Sequence, residues 1–174
     1  WEQAALAAPS PCRVVVLRLG IVLGPDGGAL GKMLPVFRAG FGGPVGSGRQ
    51  WMSWIHRHDL CRMIATALED PAWSGVYNAV GPAQPSSFGE LLETCKSVSG
   101  SDAEFVWMTE EFIAENKIAP WTEIPVWVSS AGEDSGISRV SNRRAKAAGL
   151  TFRSTEQIVK ETLSWAQTRP GDHE

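Results

Sequence analysis

Several residue types that mark specialised environments are scarce here. Cysteine occurs three times, at Cys12, Cys61 and Cys95, widely spaced and with no CxxC pair. That count and spacing exclude a disulfide framework and fit a reducing compartment, with cytoplasmic as the expected location. Cys61 and Cys95 read as small core side chains on helices, and Cys12 as partly exposed. No apolar run approaches the ~18 residues that a membrane-spanning helix needs, so no membrane partner is expected. Charged residues make up 20% of the chain, the net charge is −3, and Lys and Arg form no stripe. A nucleic-acid footprint is therefore not expected. There is one tyrosine, Tyr77, and the chain opens on Trp1 rather than Met. The opening residue points either to processing or to a piece of something longer.

Other residues are abundant. Eight tryptophans and eighteen glycines are spread over 174 residues, enough chain for a domain with a substantial core. Residues 1–8 have helix-forming composition and stop at Pro9-Ser10-Pro11. Residues 13–19, RVVVLRL, form a β-branched and aliphatic run without alternation, as in a strand of a parallel sheet buried on both faces. Residues 29–40 can be helical, with Pro35 as an interruption, and residues 41–50 read as a Gly-rich loop. An extended piece at 51–55 then runs into a helix. Asp59 is its expected cap, and Leu60, Met63, Ile64, Ala67 and Leu68 its expected apolar face.

The remainder continues the alternation of strand and helix. Residues 75–81 and 103–108 read as strands, with a Ser-capped helix between them that stops at Gly100. A helix follows at 109–117, a short capped helix at 141–150, an extended piece at 151–153 and a closing helix at 154–167. Residues 118–136 show no period and read as a loop packed by its aromatics. The order argues for α/β architecture. Only two long buried-type strands are present, however, so the most economical reading is that part of a sheet is missing.

The sharpest passage is GSGRQWMSWIHRHDL, residues 46–60. His56 and His58 with Asp59 raise the question of a metal, but a satisfied histidine near a helix start is the commoner arrangement. Ser53, His56 and Asp59 lie too close in sequence to converge as a nucleophilic triad, and no G-x-S-x-G elbow is present. Neither Gly-rich segment ends in GK[ST], so neither is a P-loop. Arg49 beside Trp51 and Trp54 is the best ligand contact the residues themselves offer: a guanidinium there can meet a phosphate, a carboxylate or a ring. Lys32 and Arg38 are secondary candidates for the same cleft.

Three phrases carry a resemblance: R-x-G-x-V-L-x-P-x-G-G-A-L-x-K-M-L, G-G-P-x-G-S-G-x-Q-x-x-S-W-I-H-x-x-D-L and G-x-x-N-x-x-x-P. The chain resembles the extended short-chain dehydrogenase/reductase superfamily, and within it the epimerase-like NAD(P)-dependent subfamily. The match covers about residues 1–98, and the later part is similar to the C-terminal substrate region of other reductases. The resemblance implies the C-terminal part of a Rossmann-like NAD(P)-binding fold with its small substrate domain. Residues 1–98 would hold the last strands and helices of the Rossmann-like domain with the inserted cleft segment, and 99–174 the substrate region and closing helix.

By the same resemblance Gly20, Ile21 and Val22 occupy the turn past the nicotinamide. Met33, Arg49, Trp51 and Trp54 line the substrate cleft, and Asn78 is a structural position in the outer strand 76–79. The Gly-rich pyrophosphate turn of the superfamily does not occur in these residues, nor does its Tyr-x-x-x-Lys pair; the fourth residue after Tyr77 is Gly81. The expectation is a substrate-binding half of an NAD- or NADP-dependent oxidoreductase or epimerase. It would act on a small molecule, carry no catalytic residue or metal of its own, and be inactive alone. It would be completed by an N-terminal half or by a second copy. The alternative is a non-enzymatic binding or assembly module that dimerises or binds a protein.

Overall fold

The computed structural model describes residues 1–8, 12–25, 29–31, 33, 41–42, 46–118, 127 and 139–168. A short helix α1 (Glu2–Leu6) leads to strand β1 (Val15–Leu19). After a single residue, Gly20, the chain becomes β2 (Ile21–Leu23). Then come β3 (Phe41–Gly42), β4 (Trp51–His56), helix α2 (Arg57–Glu69), β5 (Gly75–Ala79) and β6 (Gly81–Ser87). Helix α3 (Phe88–Ser99), β7 (Glu104–Phe105) and helices α4 (Glu110–Glu115), α5 (Arg143–Ala147) and α6 (Thr155–Thr168) complete the order. The loop expected at 118–136 lies outside the described residues except for Ile118 and Trp127, as do Lys32, Pro35 and Arg38.

The strands explain the architecture. β1 and β5 pair in parallel, Val15 opposite Gly75 through Leu19 opposite Ala79. Both then leave that sheet at the same level, β1 through Gly20 and β5 through Val80. They enter a second sheet whose order is β2-β4-β6. There β2 runs parallel to β4, Ile21 opposite Trp54, while β6 runs antiparallel to it with a register shift between Met52 and Trp54. Two parallel strands therefore diverge to enclose β4. This is α/β structure with parallel pairing, as the sequence predicts.

Two cores hold these layers. One gathers Leu23, Met52, Trp54, Phe88, Leu91, Leu92 and Cys95 with Ile158 and Val159 of α6. The other gathers Ile55, Met63, Ala67, Trp73, Tyr77 and Ala79 with Ala145 and Leu150. Each core draws side chains from both sides of the 98/99 point, so the closing segment is built into the body of the fold.

Local rules account for most ends. Ser87 and Glu90 form a capping box at the start of α3: the Glu90 N–H donates to Ser87 Oγ at 3.2 Å, and the Ser87 N–H to Glu90 Oε2 at 2.7 Å. That bond from the backbone lowers the Glu90 pKa. Gly100 closes the helix in the left-handed conformation. Ser154 and Gln157 repeat the reciprocal arrangement before α6.

Three expectations need correction. The cap of α2 is His56, whose Nδ1 accepts from the His58 N–H at 3.2 Å. Asp59 instead sits in the first turn, buried, and binds arginines. Residues 81–87 form a strand, although Pro82 and Pro85 argue against one. β6 is an edge strand, where a missing N–H costs no ladder bond. Cys61 is exposed, and so are Ile64 and Leu68, because α2 buries only a narrow face at Met63 and Ala67.

Candidate functional site

The divergence of β1 and β5 leaves a crevice at their carboxyl ends, the place where open α/β sheets bind ligands. It is a hollow of ≈650 Å³ lined by Leu19, Gly20, Ile21, Ser53, Asn78 and Val80, with Arg139–Ser141 across it. Gly20 is forced at the crossing. Its N–H donates to Ala79 O at 3.2 Å, and a Cβ on it would lie 2.6 Å from Ser53 O and 3.0 Å from Val80 Cγ1. Ser53 is therefore brought against the turn by the absence of a side chain. Asn78 Nδ2 donates to Ser141 O at 2.8 Å, while its buried Oδ1 has no hydrogen-bond partner among the described residues.

A second hollow of ≈500 Å³ adjoins the first and shares Ser53, Arg139, Val140 and Ser141 with it. Trp51, Gln84, Arg143 and Lys146 line the rest of its polar rim. Helix α5 holds this wall in place. Asn142 Nδ2 donates to Val80 O and Pro82 O at 3.1 and 2.9 Å. Arg144 donates to Ser74 O and Val76 O, and its guanidinium lies 4.3 Å from the centre of the Tyr77 ring. Tyr77 is in turn stacked on Trp73, so this tyrosine is a packed strut.

The residues singled out by sequence do not converge on one wall. Gly20 and Ile21 line the first hollow, while Val22 is in β2, 38% exposed. Trp51 lines the second hollow. Trp54 is buried in the first core with Met33 packed against that core, so both support β4 from behind. Arg49 lines a third hollow of ≈520 Å³ with Phe105, Trp107, Glu90 and Glu93. Ser53, Asn78 and the 139–146 segment were missed as site residues. The available signal was a run of four cations, Arg139, Arg143, Arg144 and Lys146, in a chain of net charge −3.

Beneath the site, His56, His58 and Glu161 bring three ligand-type atoms within 4.8 Å of one another. They do not fit a metal. His56 Nδ1 accepts the His58 N–H, which puts the proton of the neutral ring on Nε2 and leaves no lone pair there. Glu161 Oε2 lies 3.1 Å from that nitrogen and its Oε1 3.5 Å from Arg153 Nε. Arg153 also reaches Asp59 through its guanidinium, and its N–H donates to Asp59 Oδ2 at 2.8 Å. Arg62 Nη2 completes the set 3.2 Å from Asp59 Oδ1. Burial lowers the His56 pKa below the ordinary histidine value; the Glu161 charge pulls the other way and does not offset it. This network ties β4 and α2 to α6.

The fold is that of the Rossmann-like epimerases and dehydratases. A dTDP-glucose 4,6-dehydratase from Bacillus anthracis in complex with NAD has the same fold at 19% identity, with a TM-score of 0.61 over 90% of this chain and 45% of that one. No family profile matches the chain. The epimerase family protein SDR39U1 homolog, chloroplastic, of Arabidopsis thaliana is 48% identical over 169 residues, which is 94% of this chain and 43% of the relative. The crystal structure of human epimerase family protein SDR39U1 (isoform 2) with NADPH is 31% identical, with a TM-score of 0.73 over 94% of this chain and 52% of that one. The chain belongs to this epimerase family of the short-chain dehydrogenase/reductase superfamily. It spans about half the length of the curated relatives it matches.

Proposed function

We propose that these residues form the substrate-side part of an NAD(P)-dependent oxidoreductase or epimerase, in which hydride passes between the cofactor and a carbonyl or carbinol carbon. The observation that carries this reading is the crevice at the carboxyl ends of β1 and β5, where the two strands part around β4. The nicotinamide end of NAD or NADP would lie along Gly20, Ile21 and Val22. Its carboxamide N–H groups suit the unpartnered Oδ1 of Asn78, and its ring suits the apolar walls of Leu19, Ile21 and Val80. The substrate would lie against Ser53 and Trp51, with Met33 and Trp54 stiffening the strand behind them. Arg49 would contact a substrate only if it reached the third hollow. When bound, the cofactor supplies or accepts the hydride. The residues described here shape the cleft, and none of them is assigned as the proton donor.

The NADPH in the human relative's structure supports the cofactor class. No helix among the described residues is long and apolar enough to cross a membrane. A reducing compartment, cytoplasmic or plastid, fits the three free thiols. The test is to join the chain to the N-terminal part of the Arabidopsis relative and titrate NADPH and NADH. Saturable binding with carbonyl-dependent oxidation of the nucleotide supports the reading; a folded protein that binds neither nucleotide refutes it.

An assembly module is the second reading, favoured by apolar side chains left exposed beside β1. Leu19 is 57% exposed and Leu6 47%. A concentration-independent monomer by light scattering would count against it.

A further inference from the structure

We infer that His56 is a proton-operated latch: on taking up a proton it lets go of the first turn of α2, and the change passes along β2 and β4 to the first hollow. His56 ends β4 and is 0% exposed. Both its nitrogens are in use. Nδ1 accepts the His58 N–H at 3.2 Å, and Nε2 faces Glu161 Oε2 at 3.1 Å. The proton of the neutral ring is on Nε2, so an incoming proton can bind only Nδ1, the atom that caps the helix. An imidazolium donates from both nitrogens and accepts from neither. The His58 N–H would then meet another N–H, and the cap must break.

The first turn of α2 supports more than its own helix. Arg57 Cβ lies 3.2 Å from the place a Cβ on Gly24 would take, and Arg57 Nη1 donates to Pro25 O at 3.4 Å, so the turn after β2 rests on it. Asp59, in the same turn, holds Arg62 and Arg153. Ile21 of β2 and Ser53 of β4 line the first hollow, which gives the latch its route there, whether or not that hollow binds a nucleotide. Among the described residues the ring is faced by His58 and Asp59 of α2, Glu161 of α6 and Arg153 ahead of α6. The His58 ring lies edge-on at 5.0 Å between centroids. Burial, with Arg153 and His58, holds the His56 pKa below the ordinary 6.5 against the pull of Glu161 and Asp59. The latch is therefore closed at neutral pH and opens as the pH falls through that lowered value.

The experiment is nuclear magnetic resonance of the isotope-labelled 174-residue chain, titrated from neutral to acid pH, with imidazole nitrogen shifts, amide shifts and amide hydrogen exchange read together. The expected result is an Nε2–H ring at neutral pH and a single His56 step below 6.5. In that step the amides of His58, Gly24, Ile21 and Ser53 move together and those of α3 stay still. Exchange at the His58 amide, corrected for its intrinsic pH dependence, quickens about fivefold or more, as expected for a lost helix cap. Circular dichroism checks that helix content is kept through the step. Three variants isolate the cause. His58→Gln keeps the backbone N–H and should keep the step. Glu161→Gln removes a charge that favours the imidazolium and should move the step to lower pH. His56→Asn, whose side-chain oxygen accepts at any pH, should abolish it. An Nδ1–H ring at neutral pH, a His56 step that leaves the His58 amide unmoved, or a step that does not reach Ile21 and Ser53 overturns the inference. So does a step that vanishes in His58→Gln, or a His56 that stays neutral until the whole chain unfolds.

Discussion

Gly20→Ala is a demanding perturbation, because it adds one methyl group at the point where β1 leaves the first sheet. That methyl would lie 2.6 Å from Ser53 O, 2.9 Å from Ser53 C and 3.0 Å from Val80 Cγ1. Two of the three contacts are backbone atoms of β4, which is held on both sides by β2 and β6. Side-chain rotation relieves only the Val80 contact, so the strands themselves must separate. Overpacking of this kind costs about 1–3 kcal/mol. For a chain of this length that corresponds to a fall in Tm of about 3–10 °C. Gly31→Ala is the matched control: Gly31 is helical, and an added Cβ there meets nothing within 4 Å. Alanine should be neutral or stabilising at that position by about 0.5–1 kcal/mol. Thermal and urea unfolding followed by circular dichroism read both variants. An unchanged Tm for Gly20→Ala, or equal losses at both positions, would refute the crossing geometry.

Other perturbations address the rest of the molecule. Asp59→Asn should cost about 2–4 kcal/mol, because it leaves Arg153 and Arg62 facing a buried site without their carboxylate; urea midpoints measure it. The His56 pKa is lowered by burial, so between its folded value and the ordinary 6.5 the unfolded chain binds more protons. The His56 contribution is therefore intact above about pH 6.5 and is lost as the pH falls through the folded value. His56→Asn, which can still cap α2, should flatten that part of the stability–pH curve. Burial pushes the Cys95 thiol up to about 12, whereas Cys12 and Cys61 are exposed. A thiol reagent should thus titrate two groups quickly and the third only on unfolding. Ser87→Ala should cost about 1 kcal/mol by opening the capping box, again read by urea unfolding.

The legible parts of the fold were those governed by local rules. The aliphatic run before Gly20, the Ser87 cap and the Gly100 stop each act through neighbours in sequence, although β1 is half-buried to exposed rather than buried on both faces as expected. β6 was hidden because its prolines are tolerated only at an edge, and being an edge is a property of the whole sheet. Asp59 stands at a cap-like position, but its partner Arg153 is far away in the chain, so burial and ion pairing decided its role. Gly20 and Ile21, which line the first hollow, were named only through the family resemblance and not from a local pattern. Ser53, Asn78 and Arg139 join it only through the divergence of two strands around a third, which no local pattern records. Trp54 stood as a cleft residue through the company of Arg49 and Trp51 and through the resemblance, yet β4 is buried on both faces from Met52 onward and Trp54 lies in the first core.

The most direct test of the crevice as the cofactor and substrate site is a titration of the isotope-labelled chain with NADPH, followed by amide chemical shifts. The structure predicts changes, even at weak affinity, clustered on Gly20, Ile21, Asn78 and Val80 and absent from α3. Shifts scattered over the surface, or confined to the third hollow around Arg49 and Trp107, would contradict it.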